Sequence, residues 1–339
     1  MPDLRAAIEA ERARWGHPVD VHRSIHGTDE PGEIAGQLTV WCREVLGREV
    51  AGARFHLVSV GSVTGLELDD GELAVIKAFQ PRWSTRFLSA VVATQRALAE
   101  AGVPCAEPIG GPAPLGEGLA TAERHLPDPG QPARFGPTEM AASAAGLALL
   151  IDVAPRHEGL RDHPMGGPFG DELYPTPHSP LFDFEATAAG AEWIDDLART
   201  VLPALRGGPE VVAHMDWSAR NVRLGPTGVR AVYDMDSLSI GQLAMALAGA
   251  AATWRSTAEP GDPPAPDADE IDAWLDAWPH PLGPDLRAQV FAGVVYQLAY
   301  ASRCEHAVDP AGTEHRRARP TLRADADRLL ERAHLDPRA

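Results

Sequence analysis

Between Val211 and Leu238 the chain reads VVAHMDWSARNVRLGPTGVRAVYDMDSL. His214-x-Asp216 is followed by Asn221 five residues later, and Asp234 comes after a turn at Gly225-Pro226-Thr227-Gly228. A carboxylate at the start of such a loop can accept the proton of an attacking hydroxyl. An amide oxygen and a second carboxylate on opposing strands of one hairpin suit a small hard cation such as Mg²⁺. Asp216 is therefore the candidate base, and Asn221 and Asp234 the candidate metal ligands. His214 is expected to fix the loop. Asp236 is either a further metal ligand or a cap before a helix starting near residue 240.

Two residue types occur once each. The only asparagine is Asn221 and the only lysine is Lys77, although arginine is abundant. Ala74-Val75-Ile76-Lys77 ends a β-branched run, where a compact ammonium can neutralise phosphate charge and a planar guanidinium would fit poorly. His-x-Asp with an asparagine five residues on, a later aspartate and a strand lysine upstream follow the order of a phosphoryl-transfer site. In that arrangement a glycine-rich loop covers the phosphates, and here only Gly61-x-x-x-Gly65 is present. A helix carboxylate should also pair with the lysine. Residues 84–99 contain no acid, so Gln95 is expected to hydrogen-bond Lys77, with Glu100 at the helix end as second choice.

The elements that must position these groups follow from periodicity. Helices are predicted at 2–14 and 30–47, then a three-stranded meander at 54–60, 63–68 and 72–79. A helix at 84–101 and a strand at 117–126 follow, and a lobe boundary falls at Pro127-Asp128-Pro129-Gly130. Beyond it helices dominate, at about 137–153, 183–205, 240–254, 267–277, 283–304 and 320–334, with the hairpin of 209–236 inserted among them. Residues 155–180, rich in Pro, Gly and His, read as a long loop in which His157, His163 and His178 are loop polarity. Trp217 and Trp254 are expected to pack. The domains are then an N-terminal helical extension (1–52), a nucleotide-binding N-lobe (53–126) and a helical C-lobe (127–339).

The HMDWSARNV and VYDMDS segments resemble the aminoglycoside phosphotransferase family, the choline-kinase-like branch of the protein-kinase-like fold. The resemblance runs in order over about residues 53–255. It implies an α+β, two-lobed fold with a small β-rich N-lobe and a larger helical C-lobe. It also implies transfer of the γ-phosphoryl of ATP, with Mg²⁺, to a hydroxyl of a small acceptor. By the same resemblance Asp216 is the base, Asn221 and Asp234 hold metal, Lys77 meets phosphate, and backbone groups around Ala122, Glu123 and Arg124 meet adenine.

Composition narrows the alternatives. The chain has 339 residues and a formal net charge of −18, which argues against nucleic acid or an anionic membrane as partner. Cys42, Cys105 and Cys304 form no paired motif. A charged start and the lack of an apolar span lead to the expectation of a cytoplasmic protein. A protein kinase is disfavoured because no D-F-G, no A-P-E and no long activation segment follow Asp234. A dehalogenase-type phosphatase is disfavoured because the sole lysine lies upstream of the D-x-D. A catalytically weak, nucleotide-binding pseudokinase is the alternative. Residues 128–314 hold 11 Arg against 27 acids. That excess, on the 155–180 loop and the 267–276 helix, leads to the expectation of a neutral or amine-bearing acceptor such as an amino sugar or aminoglycoside. Nothing in the sequence bears on oligomeric state.

Overall fold

The structure, a computed structural model, describes residues 3–15, 20–164, 172–177, 182–257, 261–311 and 317–336. The chain divides into two compact units: Met1–Pro127 with His157–Pro164, and Asp128–Arg156 with Met165–Ala339.

The first unit begins with α1 (Leu4–Trp15), α2 (Asp20–His26) and α3 (Pro31–Trp41). The single helix predicted over 30–47 instead ends in a wide π turn, Cys42–Leu46, stopped by Gly47 at φ +67. Strands β1 (Val50–Val58), β2 (Ser62–Leu68) and β3 (Leu73–Phe79) form the expected meander. Helix α4 (Thr85–Glu100) starts where Ser84 Oγ accepts from Phe87 N at 3.1 Å, and it stops before Gly102 at φ +89. Strands β4 (Pro108–Leu115) and β5 (Gly118–Arg124) complete an antiparallel sheet in the order β1-β2-β3-β5-β4. The sequence reading has no counterpart of β4. Its Gly110-Gly111-Pro112 register shift is tolerated because β4 is an edge strand, where a missing N–H breaks no inner ladder.

The sheet has two distinct faces. Ala53, Leu66, Ile76, Ala78, Ala120 and Ala122 join Leu4, Ile8, Ile25, Ile34, Leu38 and Trp41 in one core. Residues 1–52, expected as an extension, thus supply half of the packing for this face, and β1 already begins within them. The register puts Phe55, Gly65, Val75, Lys77, Thr121 and Glu123 on the other face. The short turn Glu158–Asp162 belongs to this unit as well. Gly159 packs so closely on α4 that a Cβ would lie 2.7 Å from Arg86 O. Asp162 pairs with Arg86 at 2.9 Å, and His163 sits edge-on to Trp83 and Phe87. His163 is therefore a packing residue and not loop polarity, and His178 lies outside the described residues.

The second unit is mainly helical: α5 (Pro137–Val153), α6 (Glu192–Val201), then β6 (Glu210–His214), β7 (Val222–Gly225), β8 (Gly228–Val232) and β9 (Leu238–Gln242), and finally α7 (Leu243–Thr253), α8 (Ala268–Asp276), α9 (Pro284–Val308) and α10 (Ala318–Arg332). Two expectations are corrected. The helix predicted from 183 begins only at Glu192, because α9 satisfies the preceding carbonyls. Arg303, fully buried, donates to Phe184 O at 2.7 Å and Thr187 O at 3.2 Å, while His306 donates to Ala189 O at 3.1 Å. The helix predicted from 240 begins at Leu243, because Leu238–Gln242 is a strand paired with β6. Among the described residues no helix is long and apolar enough to cross a membrane.

Candidate active site

The catalytic-type segment of the second unit hangs between two small ladders. Strand β6 delivers His214 and Asp216, with His214 opposite Leu238 of β9, and Met215 N donates to Ser237 O at 3.0 Å. His214 is completely buried, and its Nε2–H donates to Tyr233 O at 2.9 Å. Its ring lies edge-on to Trp217, whose indole N–H donates to Ser143 O at 3.1 Å. With no exposed atom, His214 ties the loop to the residue before Asp234 and has no path to a substrate. Trp217 and Trp254 are both buried packing residues.

Asn221 closes the loop. Its Nδ2 donates to Asp216 O at 3.0 Å and to Asp216 Oδ2 at 2.8 Å. Both N–H groups of the amide are thereby committed, and its oxygen is the atom left for a cation. Tyr233 N donates to Asn221 O at 2.8 Å, so the open end of the β7–β8 hairpin puts Asn221 opposite Tyr233, the residue before Asp234. Asp234 is in the left-handed conformation, φ 61 and ψ 44, which costs a non-glycine residue about 1–2 kcal/mol. Backbone strain of this kind persists where surrounding structure enforces it, commonly at functional sites. Asp236 lies in the turn Met235–Ser237 ahead of β9, so the cap role considered for it is excluded. Among the described residues no three His, Cys, Asp or Glu side chains gather into a metal cluster. Mg²⁺ needs no such cluster, since it binds through one or two carboxylates plus substrate phosphates and water. Asn221 and Asp234 fit that donor set.

A staple that the sequence reading lacks holds this loop from behind. Arg223 forms a fork to Asp128, Nε to Oδ1 at 2.7 Å and Nη2 to Oδ2 at 3.0 Å. Its Nη1 donates to Ala219 O at 3.2 Å and Arg220 O at 2.9 Å, the two carbonyls before Asn221. Hydrogen bonding to this guanidinium holds the Asp128 carboxyl below its usual range. Gln131 donates to Ala219 O and to Val222 O. The sequence signal, an arginine two residues past the asparagine and an aspartate in the Pro/Gly break, is too generic to read.

In the first unit Lys77 stands in the middle of the sheet, 8% exposed, opposite Val63 on β2 and Thr121 on β5. A bond from Lys77 could be accepted only by the oxygen of Gln95, since its nitrogen is engaged elsewhere. The amide nitrogen of Gln95 donates to Ala106 O at 2.9 Å and Glu123 Oε2 at 2.8 Å. Glu100 is exposed at the end of α4. The two glycines are not a flexible cradle. Gly65 lies inside β2, where a Cβ would sit 2.4 Å from the Phe55 ring, so its smallness makes room for that ring. Gly61 is in the short β1–β2 turn, where a Cβ would meet Ala78 O at 2.4 Å, and Gln80 Nε2 pins the turn through Val60 O at 2.6 Å. Ala122, Glu123 and Arg124 lie in β5 with a strand on either side. The N–H groups of Arg124 and His125 donate to Glu107 O and Leu73 O. Those two N–H groups are therefore engaged within the sheet.

The acidic run of α8 is not a cation site. Asp267 caps the helix, accepting from Glu270 N at 2.9 Å. Glu270 pairs with Arg255 at 2.7 Å, Asp269 with Arg328 at 2.6 Å, and Asp272 with Arg287 at 2.6 Å and with Arg332. The expectation that this helix attracts a cationic acceptor is overturned by those arginines, two of them from the Arg-rich end of the chain.

Comparison with known proteins identifies the family and the fold. The model of the phosphotransferase enzyme family (APH) matches residues 66–293. Among solved structures, an amicoumacin kinase in complex with AMP-PNP, Ca²⁺ and its antibiotic matches with a TM-score of 0.57 and 11% identity, over 81% of this chain and 87% of that one. An aminoglycoside phosphotransferase from Alicyclobacillus acidocaldarius matches with a TM-score of 0.52 and 15% identity, over 86% and 94%. A spectinomycin phosphotransferase in complex with ADP and spectinomycin matches with a TM-score of 0.50 and 12% identity, over 88% and 97%. These structures share the protein-kinase-like fold with this chain. No curated protein matches the sequence.

Proposed function

Because the chain belongs to the phosphotransferase enzyme family, we propose that it is an ATP- and Mg²⁺-dependent kinase that phosphorylates a hydroxyl of a small-molecule acceptor. Its class is that of a phosphotransferase with an alcohol group as acceptor. The nucleotide and the metal are the parts proposed, and the observation that carries them is Asn221. Its amide nitrogen is committed to Asp216, which leaves its oxygen for a cation, and its backbone partner Tyr233 immediately precedes the strained Asp234.

In this reading Asp216 receives the hydroxyl of the acceptor. Asn221 donates to Oδ2 and so fixes the carboxylate plane, and Oδ1 is the oxygen that takes the proton. His214 and the Arg223–Asp128 staple keep the loop from moving when a charged ligand arrives. Asn221 and Asp234 would hold Mg²⁺, which when bound neutralises charge on the phosphates. Lys77 holds the nucleotide phosphates. Backbone groups around Ala122, Glu123 and Arg124 meet the base, through atoms other than the Arg124 and His125 N–H groups. For the acceptor, the net charge of −18 supports a neutral or amine-bearing compound, with amino sugars and aminoglycosides the class to test first. The α8 carboxylates do not contribute to it.

The experiment is calorimetric titration of the full chain with ATP in the presence of Mg²⁺, followed by ATP consumption across a panel of sugars, amino alcohols and aminoglycosides. Mg²⁺-dependent ATP binding that disappears in Asp234→Ala is expected. Absence of nucleotide binding by the wild type would overturn the kinase reading. Binding without turnover on any acceptor, unchanged by Asp216→Asn, would favour a pseudokinase.

A further inference from the structure

The hairpin of β7 and β8 is a sheet of two strands, so among the described residues β7 has one edge with no strand beside it. Val222 and Leu224 of β7 are both buried, and buried main-chain groups must find partners. Gln131 meets two of them. Its Nε2 donates to Val222 O at 2.7 Å, and its Oε1 accepts from Leu224 N at 3.4 Å, as a peptide group of a third strand would. The same nitrogen also donates to Ala219 O, so both hydrogens of the amide are used. Ala219 and Val222 bracket Arg220 and Asn221, and one side chain thus grips the chain before and after the candidate metal ligand. Inside that turn Asn221 N and Val222 N donate to Ser218 O, at 2.9 and 2.8 Å. The grip of Gln131 on Ala219 O and Val222 O is added from outside. The segment that carries Gln131 is itself docked on the hairpin: Asp128 receives the Arg223 fork, and Gly130 O accepts from Arg230 Nη2 at 2.6 Å.

We propose that Gln131 is a positioning residue for Asn221: standing in for a third strand, its amide fixes the stretch of main chain that carries the metal ligand. The proposal rests on the reading of Asn221 as a Mg²⁺ ligand. Gln131 acts through the main chain of residues 219–222 and not on a ligand itself. It differs in this from Asp128, whose half-exposed carboxylate reaches the loop only through Arg223. The Mg²⁺ requirement is thereby tied to bonds that span 88 and 91 residues of chain.

The test compares the wild type with two variants of the full chain. Gln131→Met keeps the length of the side chain and removes all three bonds. Gln131→Glu keeps an acceptor for Leu224 N but at neutral pH has no hydrogen for the two carbonyls, and it stands in if the methionine variant fails to fold. After thermal melting has shown which variants are folded, hydrogen–deuterium exchange is read over the peptide containing residues 216–224. Calorimetry then gives ATP binding without Mg²⁺ and as a function of Mg²⁺ concentration. Faster exchange confined to that peptide is expected, with the Mg²⁺ concentration at half-maximal effect raised about 10-fold, the lower end of what groups supporting a metal ligand contribute. Affinity for ATP without Mg²⁺ should not change. Folded variants with the Mg²⁺ midpoint of the wild type would overturn the proposal and leave the kinase reading intact, since a merely structural glutamine would lower the melting temperature alone. Loss of folding in both variants would make Gln131 a stability residue and overturn it as well. ATP binding by the wild type that does not depend on Mg²⁺ would overturn the metal-ligand reading of Asn221, and this proposal with it.

Discussion

In the C-terminal unit, Asp216 is fixed by Asn221, five residues on, and both are closed off by Tyr233 and His214 within one short stretch of chain. In the N-terminal unit, Lys77 on β3 shares its face with Glu123 from β5, which Gln95 reaches from α4. The first group is built from neighbours in sequence, and its geometry travels with the motif. The second is built from separate elements, so which side chains meet depends on how those elements pack.

The comparison breaks most visibly at Asp216. Asp216→Asn should lower kcat by about 10²–10⁴-fold with affinity for Mg²⁺-ATP nearly unchanged, measured by steady-state kinetics beside calorimetry. A drop of only a few-fold would place the proton transfer elsewhere.

The sheet should be broken by bulk rather than by charge. Gly65→Val would drive a side chain into the Phe55 ring and cost about 1–3 kcal/mol of stability, read from urea unfolding. A neutral outcome would mean that Phe55 can swing away. Its ring would then not define the face that carries Lys77.

Acid should loosen the N-terminal unit before the hairpin. His22 Nε2 and His56 Nε2 share one hydrogen bond at 2.9 Å, and His56 Nδ1 bonds Thr64 Oγ1 at 2.8 Å. Burial pushes the two imidazoles down to about 4 for His22 and about 3 for His56. The folded protein therefore binds fewer protons than the unfolded chain below pH 6.5. Stability is complete above that pH and falls as pH drops toward the folded values, by up to ~1.4 kcal/mol per pH unit for each histidine. Urea midpoints between pH 7 and pH 4.5 check this, and a wild type and a His22→Gln variant with the same pH slope would refute it.

The smallest effect is expected at the staple. Asp128 is half exposed, so Asp128→Asn should cost no more than about 1 kcal/mol of stability. A larger loss, accompanied by weaker Mg²⁺ dependence of turnover, would show that Arg223 fixes the Asn221 loop through Asp128 and that the hairpin is less self-sufficient than its short contacts indicate.

Asp216, Asn221, Asp234 and Lys77 could be named as candidates from the sequence because spacing along one hairpin, and the single use of lysine and asparagine, are properties of the chain itself. The meander and most long helices were legible for the same reason, since periodicity is local. Tertiary structure alone decided the rest. It paired a proline-containing strand with β5, turned the start of a predicted helix into a segment held by Arg303 and His306, and set the α8 carboxylates against arginines far along the chain. It also gave Gly65 to a phenylalanine ring and Gln95 to Glu123. Each of these joins groups distant in sequence, and which groups meet depends on how whole elements pack, a quantity that no local pattern encodes.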